Sequence, residues 1–157
     1  MLASWQLAVE MIKGLFGTLE EIRLPKFKEH RNTVSCLAFS TDGQFLASGD
    51  LDGVLQICDH SGNQKQKLDI EYGSSSADAE SELEWVKWHP REHLVLAGSA
   101  DHNAYTWDAD KDTLFQIFSG HGESVTCGDF TPDGKVVCTG SADGTLRIWD
   151  SVSGTSI

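Results

Sequence analysis

Apolar residues recur along this chain in short alternating runs, which is the pattern of β-strands. Between residues 34 and 40 they fall on both sides of the alternation, as expected for a strand packed between two neighbouring sheets. Two further apolar runs, residues 45–48 and 54–57, follow after turn residues. Asp42-Gly43 and Asp52-Gly53 separate the runs, and Asp-Gly is a strong hairpin signal because glycine tolerates a positive φ. The pattern predicts an antiparallel meander of short strands.

The segment that carries this pattern is repeated. Residues 34–59 match residues 83–108 when 49 is added to each number, and they match residues 125–150 when 91 is added, without a gap. The equivalent positions share an aromatic residue, a glycine and two aspartates: Phe39, Trp88 and Phe130; Gly49, Gly98 and Gly140; Asp52, Asp101 and Asp143; Asp59, Asp108 and Asp150. The copies begin 49 and 42 residues apart, close to the roughly 40–45 residues of one four-stranded propeller blade.

This spacing predicts an all-β fold, a partial β-propeller of three four-stranded blades of which the last is incomplete. We expect blades at residues 30–70, 79–119 and 121–157 of a propeller region that spans residues 25–157, with outer strands at residues 66–70 and 114–118. A closed propeller typically has about four to eight blades. We therefore expect a fragment or truncated, non-functional product of a longer protein, a chain that closes by self-association through its open edges, or a three-blade module capped by a helix.

Residues 1–24 follow a different pattern from the repeats. Their apolar residues recur at helical spacing, which predicts a short amphipathic N-terminal helix or an extension unrelated to the repeats. These residues are Trp5, Ala8, Val9, Ile12, Leu15, Phe16, Leu19 and Ile22. The segment lacks both an uninterrupted apolar run of about 18 residues and the order of a signal peptide, so we expect no membrane partner.

Two short motifs in the third copy resemble a known family. Gly120-His121 followed by Trp149-Asp150 is the signature of WD repeats, a family of β-propeller proteins. The resemblance implies a hydrogen-bonded network in each blade, formed by a loop histidine, a hydroxyl, a turn carboxylate and an indole. In the third copy these residues are His121, Thr139, Asp143 and Trp149. Such a network stiffens the blade because each buried polar group is satisfied, and it is not a catalytic relay.

The other two copies keep only part of this network. The first copy has Cys58 in place of the tryptophan, and the second has Ala97 in place of the hydroxyl and Ala79 in place of the histidine. The retained residues are His30, Ser48 and Asp52 in the first copy and Asp101 and Trp107 in the second. We expect these two blades to be less tightly specified than the third.

Three further segments narrow the resemblance. Residues 83–90 (LEWVKWHP), 95–98 (VLAG) and 126–134 (TCGDFTPDG) are similar to the angio-associated migratory cell protein family, and the likeness extends from Phe27 to Ile157. It implies a protein-binding scaffold that is not an enzyme. Fungal relatives of that family act as chaperones of a large-subunit ribosomal protein, so the resemblance implies a chaperone or assembly factor for a basic ribosomal protein. Other members imply an adaptor in signalling or cell migration.

The chain is strongly acidic. With 24 acidic and 12 basic residues its formal net charge is −12, and we expect no direct nucleic-acid ligand because phosphate binding needs basic side chains. Residues 71–84 contain five acidic residues and no basic one. We expect Glu80, Glu82 and Glu84 in this stretch to contact a basic protein partner. The alternative is a solvated, disordered loop whose charge only confers solubility.

The sequence shows little sign of catalytic or metal-binding chemistry. His89 and His93 are four residues apart, but a zinc site with that spacing needs a helix, and Pro90 indicates a turn. The four cysteines include no Cys-x-x-Cys pair, and we expect buried free thiols in a reducing compartment, the cytoplasm or the nucleus. We therefore expect no catalytic residue, no metal and no cofactor.

Overall fold

The computed structural model describes residues 30–59, 64–69 and 81–157, and these form three small antiparallel sheets. Blade 1 contains β1 (Val34–Phe39), β2 (Phe45–Asp50), β3 (Val54–Asp59) and β4 (Gln64–Asp69). Blade 2 contains β5 (Leu83–Trp88), β6 (Leu94–Ser99), β7 (Asn103–Asp108) and β8 (Thr113–Ser119). Blade 3 contains β9 (Val125–Phe130), β10 (Val136–Ser141) and β11 (Leu146–Asp150). Neighbouring strands pair in chain order within each sheet. The prediction of an all-β, partial propeller is confirmed.

Blade 3 has three full strands and the beginning of a fourth. After β11 the chain turns back, so that Asp150 N donates to Thr155 O (3.0 Å) and Ile157 N donates to Ile148 O (2.9 Å). Trp149 pairs with Ser156 in the register in which Trp107 pairs with Leu114 of β8. The predicted N-terminal helix and residues 70–80 lie outside the described residues. Within the described ranges no helix is long and apolar enough to cross a membrane.

The hairpin turns follow from the positions of glycine. Gly53 and Gly144, which link the second and third strands of blades 1 and 3, have φ of 78° and 80°. The equivalent residue of blade 2 is His102, which adopts φ of 74° without being glycine. The backbone of this turn is therefore the same in all three blades although the residue is not.

The core lies between the blades, where the sheets pack face to face. Bulky apolar side chains of blade 2 pack against blade 1, and those of blade 3 pack against blade 2. Between blades 1 and 2 the buried residues include Leu55, Ile57, Leu83, Val86, Trp88, Tyr105 and Trp107; between blades 2 and 3 they include Leu96, Ala104, Phe118, Val125, Phe130, Val137 and Trp149. Indole N–H groups cross both junctions, since Trp88 Nε1 donates to Ala38 O and Trp85 Nε1 donates to Val125 O, each at 2.8 Å.

A β-bulge lies at the same place in the first strand of every blade. The register shifts between Val34 and Cys36 in blade 1, between Leu83 and Trp85 in blade 2, and opposite Gly140 and Ser141 in blade 3. A bulge redirects the side chain of its extra residue. The residues inside the three bulges are Ser35, Glu84 and Thr126, and all three are exposed.

Candidate functional site

The polar residues predicted in blade 3 form a continuous hydrogen-bonded chain. Trp149 Nε1 donates to Thr139 Oγ1, which lies 2.8 Å from His121 Nε2. His121 Nδ1 is 3.0 Å from Thr145 Oγ1, and that hydroxyl donates to Asp143 Oδ1 at 2.6 Å. The directions agree if His121 is neutral with its proton on Nδ1, because every hydroxyl then donates one hydrogen bond and accepts one. The chain ends on a carboxylate and leaves no donor unsatisfied.

Thr145 is a member of this network that the sequence comparison missed. It lies between His121 and Asp143, whose closest side-chain atoms are 3.5 Å apart. The Thr145 hydroxyl and the backbone N–H of Gly122 hold the pKa of Asp143 well below its usual range. The equivalent residues of the other blades are Val54 and Asn103, so the comparison of copies gives no signal for a hydroxyl here.

Blade 1 builds its network around a different carboxylate from the predicted one. His30 Nε2 lies 2.7 Å from Ser48 Oγ, and His30 Nδ1 lies 2.7 Å from Asp50 Oδ2. Asp52, the predicted partner, instead accepts a hydrogen bond from Asn32 Nδ2 at 2.6 Å. Blade 1 lacks a hydroxyl that could link His30 to Asp52, so the nearer carboxylate of Asp50 contacts the imidazole directly.

In blade 2, Tyr105 links Asp101 and Trp107, the two network residues that this copy retains. The hydroxyl of Tyr105 donates to Asp101 Oδ2, and the ring of Tyr105 stacks on Trp107 with centroids 5.5 Å apart. Burial and the neighbouring Asp101 carboxylate raise the pKa of Tyr105. Ala97 contributes no hydroxyl at the place that Thr139 occupies in blade 3. Tyr105 was not predicted because its equivalents are Gln56 and Arg147.

Loops from all three blades meet on one face of the molecule. In each blade a backbone hydrogen bond ties the turn between the second and third strands to the loop before the first strand. These bonds are Leu51 N to Thr33 O, Ala100 N to Glu82 O and Ala142 N to Ser124 O. The face that these loops form is here called the acidic face, after its carboxylates Asp52, Glu82, Asp101, Glu123 and Asp143. Arg31 is the one lysine or arginine in these loops within the described residues.

The structure places two of the three predicted partner-binding carboxylates. Glu82 lies half-buried on the acidic face, and Glu84 lies exposed in the bulge of β5 beside that face. Glu80 lies outside the described residues. Neither Glu82 nor Glu84 is paired with a lysine or an arginine in the described part of the chain. The two carboxylates extend the acidic face toward the inner strand of blade 2.

The opposite face carries charges of both signs. Arg91, Lys111 and Lys135 lie there among acidic residues, and all three are exposed. Lys111 Nζ donates to Asp108 Oδ2 at 2.6 Å. The two faces therefore differ in electrostatic character, and only the acidic face offers a surface of nearly one sign.

His89 and His93, whose spacing resembles a zinc motif, each form a hydrogen bond to a neighbouring blade. His89 Nδ1 accepts from the backbone N–H of Glu92 (2.9 Å), so Nε2 carries the proton that is donated to Gly134 O (3.2 Å) in blade 3. His93 lies between Asp42 Oδ2 and Asp110 Oδ2, each 2.9 Å from a ring nitrogen. The hydrogen bond that His93 donates to the Asp42 carboxylate raises the pKa of His93. Among the described residues no group of three or more His, Cys, Asp and Glu side chains is arranged to hold a metal ion.

The cysteines are free but not equally buried. Cys58 is buried, and Cys36 and Cys138 are half-buried. Cys127 is exposed, in contrast to the expectation that all four are buried. The reason is its position on the outer face of blade 3, which no other blade covers within the described residues.

Comparison with known proteins agrees with this architecture. The family model "WD domain, G-beta repeat" matches residues 22–59, 77–108 and 112–150. Human angio-associated migratory cell protein is 37% identical over 128 residues, which are 82% of this chain and 27% of that protein. Bovine serine-threonine kinase receptor-associated protein is 34% identical over 79 residues, which are 50% of this chain and 23% of that protein.

A relative from an organism that is not a mammal also aligns with most of this chain. Protein tipD of Dictyostelium discoideum is 30% identical over 148 residues, which are 90% of this chain and 22% of that protein. The chain thus spans roughly a quarter of the length of the curated relatives that it matches. The predicted resemblance to the angio-associated migratory cell protein is confirmed. With its repeats, its blade networks and the matching family model, the chain belongs to the WD40-repeat family of protein-interaction scaffolds.

Proposed function

We propose that this chain is a non-enzymatic scaffold that binds a basic protein through its acidic face, and that it acts as a chaperone or assembly factor for a basic ribosomal protein. The observation that carries the proposal is the acidic face itself. Its carboxylates come from loops of all three blades, and Arg31 is the one lysine or arginine within those loops among the described residues. A surface of one sign attracts a partner of the opposite sign over long range and speeds its association.

The acidic face is also held rigidly. Asp143 accepts hydrogen bonds from Gly122 N (2.7 Å) and Thr145, and Asp52 accepts one from Asn32. Both carboxylates tie a turn to the loop beside it. A partner that binds such a surface meets carboxylates that are already positioned, so little conformational entropy is lost on binding.

The resemblance to the angio-associated migratory cell protein family supports the ribosomal candidate, because fungal relatives of that family are chaperones of a ribosomal protein. Free thiols and a ribosomal partner are consistent with the cytoplasm or the nucleus.

Charge reversal on the acidic face tests the proposal. The complete gene product would be used to capture proteins from lysate, as the native chain and as the variant Glu82→Lys with Glu84→Lys. Adding Glu80→Lys extends the reversal to the third predicted residue. The matched control is Glu92→Lys with Asp112→Lys, which makes the same charge change at exposed sites on the opposite face. We expect capture of ribosomal proteins to fall by about tenfold or more in the first variant and to stay unchanged in the control.

Salt provides a second measurement. Capture through the acidic face should weaken as ionic strength rises, because the attraction between exposed charges is screened. Recovery of no ribosomal protein, or recovery that is unaffected by both charge reversal and salt, would exclude this function.

A signalling adaptor is the second candidate function. It is favoured by the similarity to the bovine serine-threonine kinase receptor-associated protein. The same capture experiment distinguishes the two candidates, since an adaptor would recover a receptor or a kinase in place of ribosomal proteins. Such a partner needs no cationic surface, and we then expect the Glu82→Lys, Glu84→Lys variant to bind as the native chain does.

A further inference from the structure

β8 is the outer strand of blade 2, the blade that has a neighbour on each side. Its sheet runs β5-β6-β7-β8, and no strand among the described residues pairs with the outer edge of β8. One side of blade 2 packs against blade 1 and the other side packs against blade 3. What β8 exposes is therefore exposed with both neighbouring blades in place.

Large apolar side chains are exposed along β8. Leu114, Phe115 and Ile117 are 48%, 37% and 38% exposed, and the strand contains no charged residue. Leu114 pairs with Trp107 and Ile117 pairs with Tyr105, so both lie on the side of the sheet that faces blade 1. Phe115 is the extra residue of a β-bulge, which redirects its side chain. An apolar edge of this kind is a template for a further strand.

The outer strand of blade 1 shows that the fold does not require these apolar residues. β4 has its bulge in the same register as β8. The equivalents of Leu114, Phe115 and Ile117 in β4 are Gln64, Lys65 and Lys67. Lysine on an edge strand opposes the addition of another strand, because the new strand would bury part of its charge. The sequence of β4 thus protects an edge that the sequence of β8 leaves open.

Only one side of β8 has room for further apolar contacts. Toward blade 3, Phe118 is fully buried, and Gln116 Nε2 donates to Ser153 O at 3.3 Å. Toward blade 1, Leu114 and Ile117 remain partly exposed. Cross-strand neighbours lie on the same side of a sheet, and alternate residues of a strand share that side. A strand added to β8 would therefore match it best with apolar residues at alternate positions.

The charges beside β8 favour a basic residue at one end of such a strand. Residues 108–112, the turn that leads into β8, contain three aspartates and one lysine. Lys111 Nζ donates to Asp108 Oδ2 at 2.6 Å, while Asp110 and Asp112 are exposed. In an antiparallel pair the C-terminal end of the added strand lies beside the start of β8. A lysine or arginine after the apolar residues would therefore lie next to these carboxylates.

A second copy of this chain does not match these charges. Residues 112–134 contain β8 and no lysine or arginine, so the β8 of another copy would bring no cation to Asp112. Each copy also has a net charge of −12, and like charges repel. The charge pattern therefore favours a segment of a different protein.

We propose that β8 is a docking edge for an extended segment of another protein, which adds a fifth strand to blade 2. The segment carries apolar residues at alternate positions and then a lysine or arginine. Main-chain hydrogen bonds to the edge of β8 provide affinity, and Leu114, Phe115 and Ile117 select apolar side chains. The docking edge is a strand and not one of the loops of the acidic face, so it is a second binding surface.

Fluorescence anisotropy with a labelled peptide tests the docking edge on the purified chain. The probe alternates valine and threonine over the length of β8 and ends in two lysines. We expect saturable binding to the native chain. The variant Leu114→Gln, Phe115→Lys, Ile117→Lys places the residues of β4 on β8 and should bind at least about tenfold more weakly. The matched control, Leu146→Lys with Ile148→Lys, adds the same charge at exposed apolar positions of β11 and should bind as the native chain does.

Modified peptides test the mode of binding. The N–H groups of a strand point alternately to its two sides, so N-methylation of one set of alternate residues should weaken binding by at least about tenfold and that of the other set should not. Replacing the lysines of the probe with glutamates should weaken binding several-fold. Absence of saturable binding overturns the proposal, as does equal binding of the unmodified probe and both N-methylated peptides.

Hydrogen exchange shows where the probe binds. Amides of β8 should exchange several-fold more slowly with the probe bound, while those of β10 and β11 should not change. The Glu82→Lys, Glu84→Lys variant should bind the probe within about twofold of the native chain, which separates this test from that of the acidic face. Protection of the acidic face in place of β8 would overturn the proposal. So would dimerisation of the native chain that the β8 variant abolishes, since the occupant would then be a second copy.

Discussion

The carboxylate of Asp50 is fully buried in blade 1 and is surrounded by hydrogen-bond donors. It contacts His30 Nδ1 through one oxygen, while the other accepts from the backbone N–H groups of Asp52 and Val54 at 3.0 and 2.9 Å. The side chain of His30 is 6% exposed. A buried charge is tolerated only when it is satisfied in this way.

Replacing Asp50 should therefore be much more damaging than replacing Asp52. We expect Asp50→Ala to lower the free energy of unfolding by about 3 kcal/mol, because His30 and two backbone N–H groups lose their acceptor in a buried site. Asp52→Ala removes an exposed hydrogen bond to Asn32 and should cost less than about 1 kcal/mol. Urea unfolding of the two variants measures the difference. Equal losses would show that Asp50 does not organise blade 1.

His93 links blades 1 and 2 through both of its ring nitrogens. Its neighbours Asp42 and Asp110 are carboxylates with no proton to donate, so only the protonated imidazole can donate to both. The ring also packs edge-on against Phe45, with centroids 4.8 Å apart. The Ser40 hydroxyl, Gln44 N–H and His93 lower the pKa of Asp42 to about 2, so Asp42 stays charged at neutral pH.

This arrangement predicts a pH-dependent contribution to stability. The pKa of His93 is raised above its ordinary value of 6.5, so the contribution is fully present below that pH and is lost as the pH rises through the raised value. For Asp42 the sign is opposite: its contribution is present above the ordinary 3.8 and is lost as the pH falls through about 2. We expect His93→Gln to cost about 1 kcal/mol at pH 6 and much less at high alkaline pH.

Unfolding of the native chain and of His93→Gln, measured over a series of pH values, checks this expectation. The two curves should converge as the pH rises. A difference that stays constant would mean that His93 acts through packing on Phe45 and not through its charge.

Among the elements, the hairpin between the second and third strands recurs in all three blades with the same backbone. In blade 1 a Cβ added at Gly53 would lie 2.5 Å from Ser81 O at the start of blade 2. In blade 3 a Cβ at Gly144 would meet nothing within 4 Å. The turn at Gly53 therefore packs against blade 2, whereas the turn at Gly144 has open space at the equivalent position.

This difference predicts unequal effects of the same substitution. Gly144→Ala should cost about 1 kcal/mol, since only the strain of a positive φ opposes it. Gly53→Ala adds a steric overlap with Ser81 O and should cost at least about 2 kcal/mol. His102→Gly should stabilise blade 2 by about 0.5–1 kcal/mol because it relieves the same strain. Thermal unfolding of the three variants gives the order, and Gly144→Ala equal to Gly53→Ala would contradict it.

At the scale of the whole molecule, each blade contacts only its neighbours, so stability depends on the junctions as well as on each sheet. The ring of Trp85 fills the junction between blades 2 and 3 and packs against Gly128 of β9. A Cβ at Gly128 would overlap this ring and would lie 2.7 Å from Cys138 O. The small size of residue 128 is therefore required by both the junction and the sheet.

We expect Gly128→Ala to loosen blade 3 selectively. Amide hydrogen exchange of β9, β10 and β11 should accelerate by at least about tenfold, while β1, β2 and β3 keep their protection, because coupling passes only between neighbouring blades. Gly122→Ala is the matched control in blade 3, since a Cβ there would meet Asp143 only at ordinary contact distances of 3.6 and 3.8 Å. Uniform acceleration in all blades would instead show a single cooperative unit.

Much of the element pattern could be read from the sequence because it depends on local chemistry. The runs of alternating residues became β1, β2 and β3, and the outer strands predicted at residues 66–70 and 114–118 are β4 (Gln64–Asp69) and β8 (Thr113–Ser119). Asp-Gly pairs fix their turns through a positive φ that depends only on the residue itself. Strand ends shifted by one or two residues because pairing with the neighbouring strand sets them.

Less of the candidate site than of the strand pattern could be predicted from the sequence. The resemblance to WD repeats identified His121, Thr139 and Trp149, but not the bridging hydroxyl of Thr145 or the carboxylate of Asp50. These residues differ between copies, and each completes a network only because its side chain approaches an imidazole in space. Neither the motif nor a comparison of the copies indicates them.

The sequence by itself determined the repeat, the strands, the hairpin turns and the excess of negative charge, since these follow from residue order and composition. Only the tertiary structure decided which carboxylate meets each histidine, how loops of three blades combine into one acidic face, and which apolar residues remain uncovered. Leu55 and Leu146 occupy equivalent places in their strands, yet the first is 0% and the second 69% exposed. Burial depends on the neighbouring sheet, and no local pattern of residues encodes that neighbour.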